Sequence, residues 1–125
     1  MKKLLYILIF TLFLGVSGKA LEVKTYLEQR NGSSEQQSYL KVYVTGLWQG
    51  YFWYRVNHKV VGKGKEFGKN NPTVFCPPPD GKIRGEPLEF IDAEILYQKQ
   101  QGTLDETYLI EIILGQYLNR TFPCE

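Results

Sequence analysis

The side chains that could carry covalent or metal chemistry in this 125-residue chain are two cysteines, Cys76 and Cys124, and one histidine, His58. A catalytic cysteine would need a free thiol beside a histidine base, and His58 is the sole candidate base. One histidine also falls short of a zinc site unless carboxylates or cysteines complete it. The HExxH and GxSxG motifs are absent, and no pair of acids has a catalytic arrangement. We therefore expect a protein that is not an enzyme, with no catalytic residue, metal site or cofactor.

The N-terminal residues predict the cellular compartment of the protein. Lys2 and Lys3 precede an apolar run over residues 4–14, and small residues follow as far as Ala20. This order is typical of a secretory signal peptide, predicted over residues 1–20, with Gly18 as the alternative cleavage point. Eleven apolar residues are about half of the roughly 20 that a membrane-spanning helix needs. We expect a periplasmic or secreted protein with no membrane span after removal of the signal.

The two cysteines lie in the predicted mature chain, residues 21–125. In an oxidising compartment an even cysteine count favours a single disulfide, Cys76–Cys124. The alternative is a free thiol activated by His58.

The net charge of the predicted mature chain does not indicate a nucleic-acid partner. The whole chain has 15 Lys and Arg against 13 Asp and Glu. Residues 1–20 hold three lysines and no acid, so the predicted mature chain has 12 basic and 13 acidic residues, a net of −1. A nearly neutral protein has no electrostatic attraction for nucleic acid or acidic lipid.

Apolar periodicity predicts an all-α fold: a small helical domain of about four helices with one long central helix and a single disulfide. The predicted segments are a short first one over 21–30, a long helix over 36–61, a helix over 86–101 and a final helix over 104–119. Thr103 and Glu106 have the spacing of a capping box for the final helix.

Gly46 and Gly50 lie four residues apart on one side of the long helix. Each glycine destabilises a helix interior by about 1 kcal/mol relative to alanine. We therefore expect another helix to pack closely against them, within the domain or across a dimer. The alternative is two glycines tolerated in a helix that its aromatic residues stabilise.

Trp48, Phe52 and Arg55 predict a surface for a protein partner. Steps of 100° place Trp48 and Phe52 on the otherwise polar arc of the long helix, with Arg55 beside them. Exposed aromatics next to arginine are typical of interface hot spots. The alternative is that the N-terminal segment, through Val23, Tyr26 or Leu27, covers the two aromatic rings.

Three motifs occur in a fixed order: YVTGLWQGY over residues 43–51, FCPP over 75–78 and FPC over 122–124. Together they resemble the Rap/Tai family of periplasmic immunity proteins, over a stretch from Tyr39 to Cys124. The resemblance implies a disulfide-bonded helical domain that binds and blocks a peptidoglycan amidase delivered by a type VI secretion system, as a homodimer. It assigns no inhibitory residue, and the basic loop over 62–71 has no counterpart in the family pattern.

Two other functions remain open. One is a periplasmic acid-stress chaperone of the HdeA kind, although such chaperones rely on many carboxylates that lose charge in acid, and a net charge of −1 gives no special basis for that response. The other is a generic secreted interaction domain with a different ligand.

Overall fold

The computed structural model describes residues 20–60, 75–76 and 78–124, with the side chains of 54–60 not described. Four helices occur in these ranges: α1 (Val23–Arg30), α2 (Ser34–Val60), α3 (Pro87–Gln101) and α4 (Ile110–Thr121). The described ranges contain no strand, only an isolated bridge between Glu22 and Leu109. The all-α prediction of about four helices with one long helix is therefore confirmed. No helix in the described ranges is long and apolar enough to cross a membrane.

The bounds of α3 follow local sequence signals. Pro87 occupies the first helical position, where the absent N–H costs no hydrogen bond. The backbone N–H of Glu86 donates to the Glu89 carboxylate at 3.3 Å. Gly102 ends the helix in the left-handed conformation, with φ 67°. Glycine adopts this conformation without steric strain because it has no Cβ.

The predicted start of the final helix is wrong. Thr103 does not cap it, because α4 begins at Ile110. Residues 103–109 are not helical; they include a turn at 106–107, beside which the Asp105 carboxylate accepts the backbone N–H of Thr107 at 2.9 Å.

Backbone pairing with the start of the described chain explains this delay. Three long-range hydrogen bonds of 2.8–3.0 Å tie residues 106–110 to residues 21–24: Ile110 N–H to Leu21 O, Val23 N–H to Tyr108 O, and Lys24 N–H to Glu106 O. A helix over 104–110 would have to give these bonds up.

The core lies where α1, α3 and α4 meet the inner face of α2. Its fully buried side chains are Val23, Tyr26, Leu40, Val44, Ile91, Ile110, Ile113, Leu114 and Leu118. A fully buried side chain of this kind contributes about 1.5–3 kcal/mol relative to an exposed one. Apolar burial therefore fixes which face of each helix points inward.

The Cys76–Cys124 disulfide is present, as predicted, and joins residues 48 positions apart. The backbone N–H of Cys76 also donates to the carbonyl of Phe122 at 2.8 Å. These two links hold the segment that leads to α3 against the end of α4.

Candidate functional site

Trp48 and Phe52, one turn apart on α2, lie in the same cleft. The facing wall is the segment between the disulfide and α3, and the cleft has a volume of about 410 Å³. Its other lining residues are Phe75, Gly81, Lys82, Ile83 and Arg84. The structure therefore brings the two predicted aromatic residues together on one surface.

Trp48 forms the rigid part of this cleft. Its side chain is half-buried, and its ring centroid lies 5.5 Å from that of Phe90 in α3. Phe90 in turn stacks on Tyr117 of α4 at 4.9 Å. The sequence prediction offered the N-terminal segment only as the alternative to exposed rings, and it missed Phe90. The 3.6-residue period shows which face of a helix is apolar, but not which helix packs on that face.

Phe52 is the exposed part of the cleft. Its side chain is 52% exposed and meets the neighbouring Trp53 edge to face, with 6.1 Å between ring centroids. The side chain of Arg55, the third predicted partner-binding residue, is not among those that the structure describes.

Arg84 on the cleft rim is a candidate that sequence reasoning missed. Gly81 has φ 68° and turns the chain after Asp80, whose carboxylate accepts the backbone N–H of Lys82 at 3.0 Å. The Arg84 guanidinium is 85% exposed and 3.7 Å from the Asp80 carboxylate. Such an exposed ion pair contributes about 0–1 kcal/mol to stability. Arg84 can therefore readily leave Asp80 and pair with a carboxylate of a partner protein. The Asp80-Gly81 turn was a sequence signal for this geometry.

Gly46 and Gly50 lie away from this cleft, on the outer side of α2. A Cβ built at either glycine has no described atom within 4 Å. No other helix of the described chain therefore packs closely on them. Close packing of a helix from a second copy on Gly46 and Gly50, across a dimer, stays a prediction.

The two glycines line a separate groove between α2 and α4, with a volume of about 700 Å³. Its other walls are Leu47 and Tyr51 from α2 and Glu111, Ile112, Gly115, Gln116 and Asn119 from α4. This groove is mainly apolar, with the Glu111 carboxylate at its edge.

The acidic residues of α3 are held by partners of their own. Asp92 accepts the Tyr26 hydroxyl at 2.7 Å and two N–H groups of Arg30 at 3.0 and 3.1 Å. Burial and the bond to Asp92 raise the pKa of Tyr26, and hydrogen bonding to Asp92 raises the pKa of Arg30. Glu94 is buried and accepts Arg120 at 2.7 Å. These contacts join α1 to α3 and α3 to α4.

The described residues contain no group of three His, Cys, Asp or Glu side chains that could hold a metal ion. No protein-family model, curated protein or solved structure matches the chain. The cleft at Trp48 and Phe52 is the site whose composition fits the predicted binding of a protein partner.

Proposed function

We propose that this protein is a periplasmic protein-binding domain that binds and inhibits a peptidoglycan amidase, and that it does so through the Trp48–Phe52 cleft. The observation that carries the proposal is the pairing of an exposed Phe52 with a half-buried Trp48 beside an exposed arginine, Arg84. The amidase as partner, the type VI delivery and the homodimeric state come from the motif resemblance.

Composition supports the cleft as an interface. Tryptophan and arginine are enriched among residues whose truncation costs 2 kcal/mol or more of binding free energy. Such residues act best when neighbouring contacts exclude water from them. The 410 Å³ cleft offers Phe75 and Ile83 for this purpose.

Rigidity of the cleft floor also supports the proposal. Trp48 is held by Phe90, which is stacked on Tyr117, so three aromatic rings are fixed before a partner arrives. Immobilising a flexible side chain on binding costs about 0.5–1.5 kcal/mol, and a fixed ring avoids most of that cost.

The rim charges indicate the chemistry of the partner surface. Lys82 and Arg84 border the cleft, whereas Asp80 is the acid beside them. An apolar projection flanked by a carboxylate would fill the cleft and pair with Arg84, with a geometry that favours bidentate contact.

The test is inhibition of an amidase encoded beside the gene of this protein. The full gene is expressed with export, the product is purified, and release of peptidoglycan peptides is measured against increasing inhibitor. We expect complete inhibition near one inhibitor chain per amidase. Phe52→Ala should raise the dissociation constant by about 30-fold, the equivalent of 2 kcal/mol.

Leu96→Ala is the matched control, because Leu96 is a 56% exposed apolar residue of α3 outside the cleft. It should inhibit as the unchanged protein does. Full amidase activity in the presence of excess protein would refute the amidase proposal, and equal inhibition by Phe52→Ala would refute the cleft. A protein that unfolds at pH 3 and then prevents aggregation of other proteins would be an acid-stress chaperone instead.

A further inference from the structure

The main chain enters the core at the predicted cleavage point. Ala20 is exposed, whereas Leu21 is only 7% exposed and belongs to the core. The carbonyl of Leu21 accepts the backbone N–H of Ile110 at 2.8 Å, and the next residue, Glu22, forms a bridge with Leu109. The first residue of the predicted mature chain is therefore held against the start of α4.

The backbone nitrogen of Leu21 lies beside a phenol and a carboxylate. It donates to the hydroxyl oxygen of Tyr43 at 3.4 Å, and that hydroxyl donates to Oε1 of Glu111. Because both atoms contact the same oxygen, the nitrogen and Oε1 are within about 6 Å of each other, the sum of two hydrogen bonds. Leu21, Tyr43 and Glu111 thus form one connected group.

The carboxylate of Glu111 is incompletely paired in this group. Its Oε2 atom is buried and has no hydrogen-bond partner among the described residues. The ion pairs of the described side chains involve Asp80, Asp92 and Glu94, and not Glu111. The first turn of α4 favours an acid through the helix dipole, but this does not account for a buried oxygen without a donor. Glu111 therefore lacks both a donor and a cation.

Cleavage after Ala20 would supply both. Before cleavage the nitrogen of Leu21 is an amide with a single N–H, which Tyr43 already accepts. Hydrolysis adds water across the peptide bond, so that Ala20 keeps a carboxylate and Leu21 gains an amino group. The pKa of an α-amino group is about 7.7–8.0, so it is mostly protonated at pH 7, with three N–H donors and a positive charge. One donor can remain on Tyr43, and two are then free for Glu111.

We propose that Glu111, together with Tyr43, is the receptor for the α-ammonium group of Leu21, and that removal of the signal peptide completes the fold by forming this ion pair. The inference rests on the export that the proposed function includes, and it does not depend on an amidase partner. It also distinguishes the two predicted cleavage points, because cleavage after Gly18 would leave the amino group two residues outside the receptor. The uncleaved chain should accordingly be less stable than the mature protein.

The first test identifies the N-terminal residue of the exported protein by mass spectrometry. We expect a mature chain that begins at Leu21. A mature chain that begins at Lys19 would overturn the proposal.

The second test compares two chain lengths in urea unfolding, residues 21–125 and residues 20–125. Both are released from the same carrier by a protease that leaves no extra residue, and both keep the disulfide oxidised. Because Ala20 is exposed, the longer chain changes little apart from the position of the amino group. We expect the unfolding equilibrium constant of the shorter chain to be at least tenfold lower.

Two substitutions, each made in both chain lengths, assign this difference to one carboxylate. Glu111→Gln should abolish it, because the ammonium would then face the positive end of the α4 dipole without a carboxylate. Glu22→Gln is the matched control, since it neutralises the exposed acid next to the terminus, and it should leave the difference unchanged. Equal stability of the two unchanged chains, or a difference that persists in Glu111→Gln, would overturn the proposal.

The reactivity of the amino group gives a measurement that needs no substitution. Acylation by an N-hydroxysuccinimide ester at pH 7 should label Leu21 of the shorter chain at least tenfold more slowly than Ala20 of the longer one. Equal rates would overturn the buried ion pair. Amidase inhibition is measured separately, so a failure of these tests with retained inhibition would leave the amidase proposal standing, and the reverse result would leave the receptor standing.

Discussion

The hydroxyl oxygen of Tyr51 lies 2.7 Å from the position that a Cβ on Gly115 would occupy. From there Tyr51 donates a hydrogen bond to the backbone carbonyl of Glu111 at 2.7 Å and so connects α2 to α4. Gly115 is thus the residue that makes room for a tyrosine between two helices. A Cβ at Gly46 would meet no described atom within 4 Å, so Gly46 makes room for no side chain of the described residues.

The matched substitutions Gly115→Ala and Gly46→Ala should have opposite effects on the monomer. A methyl group at Gly115 displaces the Tyr51 hydroxyl, and we expect a loss of about 1–3 kcal/mol as overpacking. At Gly46 the better helix propensity of alanine should add up to about 1 kcal/mol. Urea unfolding at high dilution measures both free energies of unfolding. Equal effects of the two substitutions would contradict this assignment.

Trp48→Ala and Phe52→Ala should separate stability from binding. Trp48 packs on Phe90, so we expect its truncation to lower the free energy of unfolding by about 2 kcal/mol, below the range for fully buried aromatics because it is half-buried. Phe52 is largely exposed, and its truncation should change stability by less than about 0.5 kcal/mol. Thermal melting of the two variants checks this, and a large loss for Phe52→Ala would place that ring in the core.

Arg120→Met should destabilise the contact between α3 and α4. Arg120 directs two N–H groups to the Glu94 carboxylate, at 2.7 and 3.1 Å, and Glu94 is only 4% exposed. Without Arg120 the buried Glu94 carboxylate loses its ion-pair partner, and we expect the free energy of unfolding to fall by about 3 kcal/mol. This value is at the low end for a broken buried pair, because Arg120 is 41% exposed and Gln98 still donates to Glu94. The double variant with Glu94→Gln should recover part of this stability in urea unfolding. No recovery would contradict the uncompensated charge of Glu94 as the cause of the loss.

The protein should lose stability above about pH 10. Burial raises the pKa values of Tyr26, Tyr43 and Tyr51, and hydrogen bonds to Asp92 and Glu111 add to the effect at Tyr26 and Tyr43. Unfolded tyrosines ionise near pH 10, so above that pH the unfolded state holds fewer protons than the folded state. Stability is therefore complete below pH 10 and falls as the pH rises.

Absorbance at 295 nm with circular dichroism measures this alkaline transition. The three phenols should ionise together with the loss of helix, and Tyr51→Phe should reduce the protons released by about one. Ionisation of all tyrosines near pH 10 with the helices intact would contradict the prediction.

Reduction of the Cys76–Cys124 disulfide should cost about 4 kcal/mol, from the chain entropy that a loop of this length restores to the unfolded state. Urea unfolding with and without reductant measures the cost. Mass spectrometry of the unreduced, alkylated protein should find neither thiol modified, and modification of both would show that the bond does not form in the exported protein.

The sequence by itself determined the helices whose signals are local. The bounds of α3 agree with Glu86, Pro87 and Gly102, because capping and left-handed termination depend on neighbouring residues. The length of α2 and its inward face follow from apolar spacing, which steps of 100° describe directly. The disulfide followed from the cysteine count and the predicted compartment.

Only the tertiary structure decided features that join distant residues. The delayed start of α4 results from hydrogen bonds to residues more than 80 positions away, and local capping rules hold no information about them. Arg84 and Phe52, 32 positions apart, border one cleft because the segment before α3 returns along α2. The open space over Gly46 depends on where the other helices pack. Local periodicity sets which face of a helix is apolar, but the packing of whole helices, driven by burial, selects the surface that covers it.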